Sequence, residues 1–420
     1  MPNFSIPLSG LTAESTALSA IANNLSNQNT IGYKDTTVQF SDLFYQQLGT
    51  TGSGDPIQVG AGVEVGSMPS LFTQGSVEST GVPTDVAIQG SGFFVVQNSD
   101  GTVNYTRAGD FSVDANNYLV TSNGQQVLGY PAVNGVVNTG DGIVPLQIGA
   151  GTLSPPSATT DVQLTTNLNA AANVGDTFST PVNVYDSLGA SHTLTFTFTN
   201  TGPGAWNYSV TVPAADVGAT GNPVVVSTGA LGFDSNGNLI APAANVTGIG
   251  VGTTGVGGTG AFADGAAPMS FTWDLYNNGT PLLTQVAAPS STSATSQNGF
   301  SSGSLVNFTI GSDGTIAGSF SNGETQSLGQ LAVANFSNPD GLQLIGNTDF
   351  TPTLASGAAV AGVPGTGGLG TISGGALEES NVDIATEFAN LIVAQRGFEA
   401  DAKAVTTFDQ ITQDTIALKQ

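Results

Sequence analysis

The sequence holds one histidine, His192, and no cysteine. Those two counts exclude a thiolate nucleophile, a disulfide framework and any multi-histidine metal centre. Serine and aspartate are plentiful, so counting leaves a Ser-His-Asp triad open. However, no Gly-x-Ser-x-Gly elbow stands between a strand and a helix to present a nucleophile. Paired carboxylates for glycoside hydrolysis are equally open by count. Sugar sites usually need aromatic platforms, and the only tryptophans, Trp206 and Trp273, sit in strand-like runs and are expected in a core. Two runs, Gly250-Val-Gly-Thr-Thr-Gly255 and Gly365-Thr-Gly-Gly-Leu-Gly370, match a dinucleotide fingerprint as text. Neither lies in a strand-to-helix turn, and a chain with 57 glycines produces such matches by chance. Asp234-Ser-Asn236-Gly-Asn238 opens like a calcium loop, but Leu239 replaces the required glycine and Asn245 the closing glutamate, so a hairpin turn is expected. No catalytic, cofactor-binding or metal-binding residue is expected, and the chain does not read as an enzyme.

The elements around these residues carry the stronger pattern. Phe4, Leu8, Leu11, Ser15, Leu18, Ala22 and Leu25 follow an alternating four/three spacing, the seam of a coiled coil. The spacing returns at the other end in Ile384, Phe388, Leu391, Phe398, Ala402, Val405, Phe408, Ile411 and Leu418, with a slip in register near Phe408. The first helix is expected over about 9–27, ending where Gly32 supplies a left-handed turn. The last is expected to follow a capping box, Ser380-Asn-Val-Asp383. An amphipathic helix ordinarily packs on its own domain. These two lie at opposite chain ends, joined to the middle through weakly patterned or Gly-rich stretches, which favours coiled-coil assembly.

The middle alternates short strands and turns. Phe93-Phe94-Val95-Val96, Val103-Asn-Tyr105, Phe111-Ser-Val113 and Tyr118-Leu-Val120 read as hairpin strands, with Ser99-Asp100-Gly101 and the Asp114 region as turns. Leu194, Phe196 and Phe198 fall on one face of a strand. The expected architecture is mostly β with a terminal α-helical coiled coil. Residues 1–30 and 377–420 form the helical domain and 31–80 an extended arm. Residues 81–148 and 298–376 form an inner β domain with a Gly-rich linker at 356–376, and 149–297 form an outer β domain inserted into it.

Composition narrows the function. Thirty acidic residues face five Lys and Arg, a net charge of −25. No Lys or Arg occurs between Arg107 and Arg396. Phosphate contacts need clustered cations, so nucleic acid is excluded as a partner, and so is adhesion to an anionic membrane surface. Membrane insertion is not expected, because no run of about eighteen apolar residues exists. The N-terminus lacks the basic and apolar regions of a signal peptide, and these facts alone read as cytosolic.

Several segments then resemble one known family. Leu8-Ser-Gly-Leu11, Asn23-Asn-Leu-Ser-Asn27 and Thr30-Ile-Gly-Tyr-Lys34 resemble the N-terminal signature of the flagellar rod and hook axial proteins. Leu377-Glu-Glu-Ser-Asn-Val-Asp383 and Glu387-Phe-Ala-Asn-Leu-Ile-Val-Ala-Gln-Arg-Gly-Phe398 resemble the C-terminal one. Thr106-Arg-Ala-Gly-Asp-Phe111 and Gly329-Gln-Leu-Ala-Val-Ala-Asn-Phe336 extend the likeness into the middle. The resemblance implies a structural subunit without cofactors, and the long inserted segment is similar to the hook members rather than the shorter rod members. It further implies a helical homopolymer, a curved tube that acts as a universal joint between rod and filament. Implied partners are other copies of the chain, the rod, hook-cap and hook-filament junction proteins, and the flagellar type III export apparatus, through which members leave the cell without a cleaved signal. Phe40-Ser-Asp-Leu-Phe44 resembles the family's aromatic-x-x-x-hydrophobic export motif, carried here by Phe40 and Phe44. A distal rod subunit is the nearest alternative reading, and a secreted β-rich adhesin or hydrolase the more distant one.

Overall fold

A computed structural model describes residues 4–50, 52, 56–148, 152–253 and 259–418. Met1 to Asn3, the first residues of the expected 149–297 domain and the end of the Gly250–Gly255 run lie outside the described residues. The chain divides into two compact units: residues 1–151, 306–319 and 325–420 form the first, and residues 152–305 with 320–324 the second. The protein is mostly β, with its N- and C-terminal helices packed together in the first unit.

The main sheet of the first unit is built from both sides of the insertion. Strand Gln126–Val133 pairs with Phe93–Gln97 on one edge and with Thr325–Leu331 on the other, placing Gly129 opposite Leu331. The run Phe93-Phe94-Val95-Val96 is buried on both faces. Phe94 and Val96 join Val86, Leu119, Ile316 and Val333 on one side, while Phe93 and Val95 join Tyr105, Phe336 and Phe350 on the other. A continuous apolar run is what a strand covered on both faces requires. The turn at Gly101, at φ +87°, joins Phe93–Gln97 to Val103–Thr106.

Two stretches are more regular than their composition suggested. The expected arm over 31–80 contains paired strands: Gln39–Asp42 with Val63–Ser67, and Gln46–Thr50 with Pro56–Val59. The expected Gly-rich linker contributes Val360–Gly362, Thr371–Gly374 and Ala376–Glu378, paired with Val333–Asn335, Val86–Gln89 and Val77–Ser79. Main-chain hydrogen bonds hold these strands, and main-chain bonding leaves no apolar period to read. The Gly365–Gly370 run is a turn between two of them, with no helix behind it.

The second unit packs two sheets face to face. One is antiparallel, in the order Thr177–Tyr185, Ser191–Gly202, Ala205–Val212, Val224–Phe233 and Leu239–Ala241. The other centres on Asp161–Asn169, parallel to Met269–Asp274 and Leu283–Val286 and antiparallel to Ser291–Gln297. Leu194, Phe196 and Phe198 are fully buried against Trp273, whose ring lies 5.1 Å from that of Phe196. Trp206 is in the same core. Each such side chain contributes roughly 1.5–3 kcal/mol of burial free energy. The Asp234 run is a hairpin turn: Asp234 Oδ1 accepts the amides of Asn236 and Asn238, each at 2.8 Å.

Candidate functional site

The two long helices are α1, Ser5–Ser26, and α2, Ile384–Ala417. Pro7 falls in the first turn of α1, where an amide has no helical partner, so the helix begins four residues before the expected start. Asp383, rather than Ser380, is the N-cap of α2. Its carboxylate accepts the amides of Ala385 (2.8 Å) and Thr386 (3.1 Å). Ser380 misses the helix because Asn381 is committed elsewhere: its side chain accepts the Asp35 amide (2.7 Å) and donates to Leu71 O (2.7 Å).

The helices run antiparallel. The Phe4 ring meets that of Phe408 edge-on at 6.1 Å, and Asn24 donates to Glu387 Oε2 at 3.1 Å. Between these ends the contact is made by small residues. Ala13, Ala17 and Ala20 of α1 and Ala394 of α2 are buried, a Cβ on Gly10 would strike the Asp401 carboxylate, and one on Gly397 would come within 2.8 Å of Glu14 Oε1. Small side chains allow close approach of the backbones, and Gly397, a residue that weakens a helix on its own, is part of that contact.

The seam residues read from the sequence divide between two faces. On α2, Leu391, Phe398, Ala402, Val405 and Phe408 are half-buried, while Ile384, Phe388, Ile411 and Leu418 are exposed. On α1, Leu11, Leu18 and Leu25 are half-buried, and Phe4, Leu8, Ser15 and Ala22 are exposed. At 100° per residue, this leucine face lies about 140° round the helix from the Gly10/Ala13/Ala17/Ala20/Asn24 face that meets α2. Of the two residues expected to carry an export motif, Phe40 is 46% exposed on strand Gln39–Asp42, opposite Val65, and Phe44 is 96% exposed.

Both helices are rooted in one buried charge cluster that the sequence reading did not assemble. Glu378, fully buried, accepts Lys34 Nζ at 2.6 Å and Arg107 at 3.2 Å. Lys34 follows α1 closely, Glu378 precedes α2, and Arg107 belongs to the inner β region. Lys34 Nζ also donates to Thr73 O (2.8 Å), Arg107 to Gly90 O (2.7 Å), and the Gly75 amide to Glu378 Oε1 (2.9 Å). The Arg107 guanidinium lies 5.4 Å from the Phe93 ring centre. Burial pushes the pKa values of Lys34 and Arg107 down, and the Glu378 carboxylate opposes that shift in both. Gly32, at φ +68°, donates its amide to Glu378 O at 2.8 Å and lies so close to Arg107 and Ala108 that no Cβ fits. Asn24 completes the root, accepting the Tyr33 hydroxyl at 3.0 Å and donating to the Asp35 carboxylate. Motifs quoted from three distant segments, around Asn24–Lys34, Thr106–Phe111 and Leu377–Asp383, thus converge on one spot.

Rooting both termini on a β unit, with an apolar helix face only partly covered, suits a subunit of a larger assembly rather than a chain that works alone. Comparison with known proteins defines that class. Residues 153–300 match the family model described as "Flagellar basal body protein FlaE D2 domain" and residues 87–167 the "Flagellar hook protein FlgE/F/G D1 domain". Residues 373–418 match the "Flagellar basal body rod FlgEFG protein C-terminal" and residues 6–34 the "Flagella basal body rod protein". The chain is 36% identical to the flagellar hook protein FlgE of Escherichia coli (strain K12), over 99% of this chain and all of that one. It is 35% identical to the hook protein of Treponema pallidum (strain Nichols), over 98% of both. The crystal structure of Helicobacter pylori flagellar hook protein FlgE2 shares the fold, with a TM-score of 0.51, 17% identity and coverage of 72% of this chain and all of that one.

The chain belongs to the flagellar hook protein family. It is a structural subunit of the flagellar hook, not an enzyme, and no helix among the described residues is long and apolar enough to cross a membrane.

Proposed function

We propose that copies of this chain polymerise into a tube through the leucine face of α1, and that the tube serves as the universal joint carrying torque from rod to filament. The observation that carries this reading is the position of that face. Leu8 is 56% exposed, and Leu11, Leu18 and Leu25 are turned away from α2, which already has the small-residue face as its partner. An apolar stripe left over after intramolecular packing gains burial when a neighbouring copy covers it. A contact between two different faces, repeated without closure, yields an open helical polymer. The further partners are those of the family: the rod at one end, the cap and junction proteins at the other, and the type III export apparatus, which delivers the chain outside the cell.

Leu8→Asp tests the seam. It places a charge on a residue that is mostly exposed in the single chain, so thermal unfolding should be unchanged, while electron microscopy should show polymer yield collapsing. Normal tubes from this variant would remove the leucine face from the assembly. Phe44 belongs to the export reading, because its exposed ring contributes nothing to packing. Phe44→Ser should cut secretion severalfold with unchanged stability, and secretion at the unsubstituted rate would discard that role.

A further inference from the structure

His192 is the one group between Arg107 and Arg396 able to carry positive charge, and it is buried where three carboxylates gather. It opens strand Ser191–Gly202, with 6% of its surface exposed. Its Nδ1 lies 3.1 Å from Asp216 Oδ2, on the one-turn helix Ala214–Val217. Its Nε2 lies 2.9 Å from Asp186 Oδ2, in the turn that precedes the strand. Asp264 approaches from a loop, and one ligand atom from each of Asp186, His192 and Asp264 lies within 4.8 Å of the others.

The arrangement departs from a simple buried hydrogen bond in two ways. Each ring nitrogen faces a carboxylate oxygen at hydrogen-bond distance, so only an imidazolium donates to both, and a neutral ring leaves one lone pair facing a carboxylate. The Asp264 carboxylate also stands close to Asp186 and the ring, in a unit without Lys or Arg. Like charges so placed require a cation or a proton between them. The set is held ready for one. Asp186 Oδ1 is fixed by the amides of Leu188 (2.8 Å) and Ala190 (2.9 Å), which aims Oδ2 at the imidazole. Asp264 Oδ1 accepts the Ala266 amide at 3.0 Å, and the Phe262 ring covers one imidazole face at 4.6 Å.

We propose that Asp186, His192 and Asp264 bind a first-row divalent cation, zinc being the best fit, with Asp216 orienting the imidazole from behind. One nitrogen and two carboxylate oxygens suit zinc, and a carboxylate on the second ring nitrogen is the usual support of a metal-bound histidine. Metal–ligand bonds of about 2.0–2.2 Å set tetrahedral ligand atoms roughly 3.3–3.6 Å apart, so Asp186 Oδ2 would draw back slightly from Nε2 while Asp264 moves in. Asp264, exposed on its loop, is free to make that movement. The bound ion would join the strand, the turn and the loop of the second unit, neutralising a charge excess its own residues leave standing.

Titration calorimetry on the full, unpolymerised chain, stripped with a chelator and titrated with zinc, tests the site. One saturable equivalent per chain is expected, and cobalt should give the visible absorption of a low-coordinate nitrogen–oxygen site. Asp264→Asn should weaken zinc at least tenfold without changing the melt in chelator, because an amide oxygen still accepts from Ala266. Asp216→Asn keeps all three ligands and should weaken zinc about tenfold through loss of orientation. Asp234→Asn, in an exposed turn, should leave binding unchanged. Absence of saturable binding, or unchanged affinity in Asp264→Asn, would overturn the proposal and leave His192 as a hydrogen-bonded imidazolium.

Discussion

Glu378 takes its two cations from segments far apart in sequence, Lys34 beside α1 and Arg107 in the inner β region. A buried pair adds little over apolar packing, but removing one partner strands charge in a low dielectric. Glu378→Gln would leave two buried cations facing a neutral amide. It should cost about 3–5 kcal/mol, read as a lowered thermal midpoint of the first unit. A loss below about 1 kcal/mol would show that water reaches the cluster. Each of the three charged residues lay within a motif quoted from the sequence, yet the pairing was not legible. Glu378 is 271 residues from Arg107 and 344 from Lys34, and no local period reports a contact at that separation.

At the scale of elements, α1 carries two stripes, and apolar weight alone selects the larger. The leucines are the more hydrophobic set, but the close contact with α2 needs the small set of Gly10, Ala13, Ala17 and Ala20. A run of small residues at three/four spacing was the available signal. The helix pair and the segment that follows α1 also hold carboxylates without ion-pair partners among the described residues. Burial, and after it Asp401, raises the pKa of Glu14 above 4.5, and burial, and after it Glu387, raises that of Asp35 above 3.8. Acids with raised folded values bind protons more readily in the folded state. Their contribution to stability is therefore full below the unfolded values of about 4 and is lost as pH climbs through the raised ones. Pairing of α1 with α2 should firm on mild acidification from neutral pH. Hydrogen exchange of α1 amides, corrected for intrinsic rates, should show protection rising towards pH 5, and Glu14→Gln should reduce that slope. Protection that does not vary with pH would show the carboxylates to be solvated.

At the scale of the whole molecule, the inserted unit enters and leaves through neighbouring residues, since the Leu305 amide donates to Thr152 O at 3.1 Å. The sheet of the first unit pairs strands from before and after it, as with Gly129 opposite Leu331. Insertion at such a point is the arrangement that tolerates removal. A chain lacking 153–304, closed by a short turn, should keep the first unit folded and still polymerise, with altered tube stiffness or curvature. Electron microscopy decides it, and a folded variant that forms no tubes would assign the second unit a necessary part in assembly.

The sequence alone determined the mostly β class, the helices at both ends, the structural rather than enzymatic character and the family. All of these rest on local period, composition and short motifs, which survive without knowledge of the fold. Tertiary structure decided what lies between distant segments: which face of α1 meets α2, that Lys34 and Arg107 share Glu378, and that three aspartates gather round a lone histidine. It also turned a glycine-rich stretch into paired strands. Each is a long-range juxtaposition or a main-chain pairing, and neither leaves a mark in the spacing of side chains.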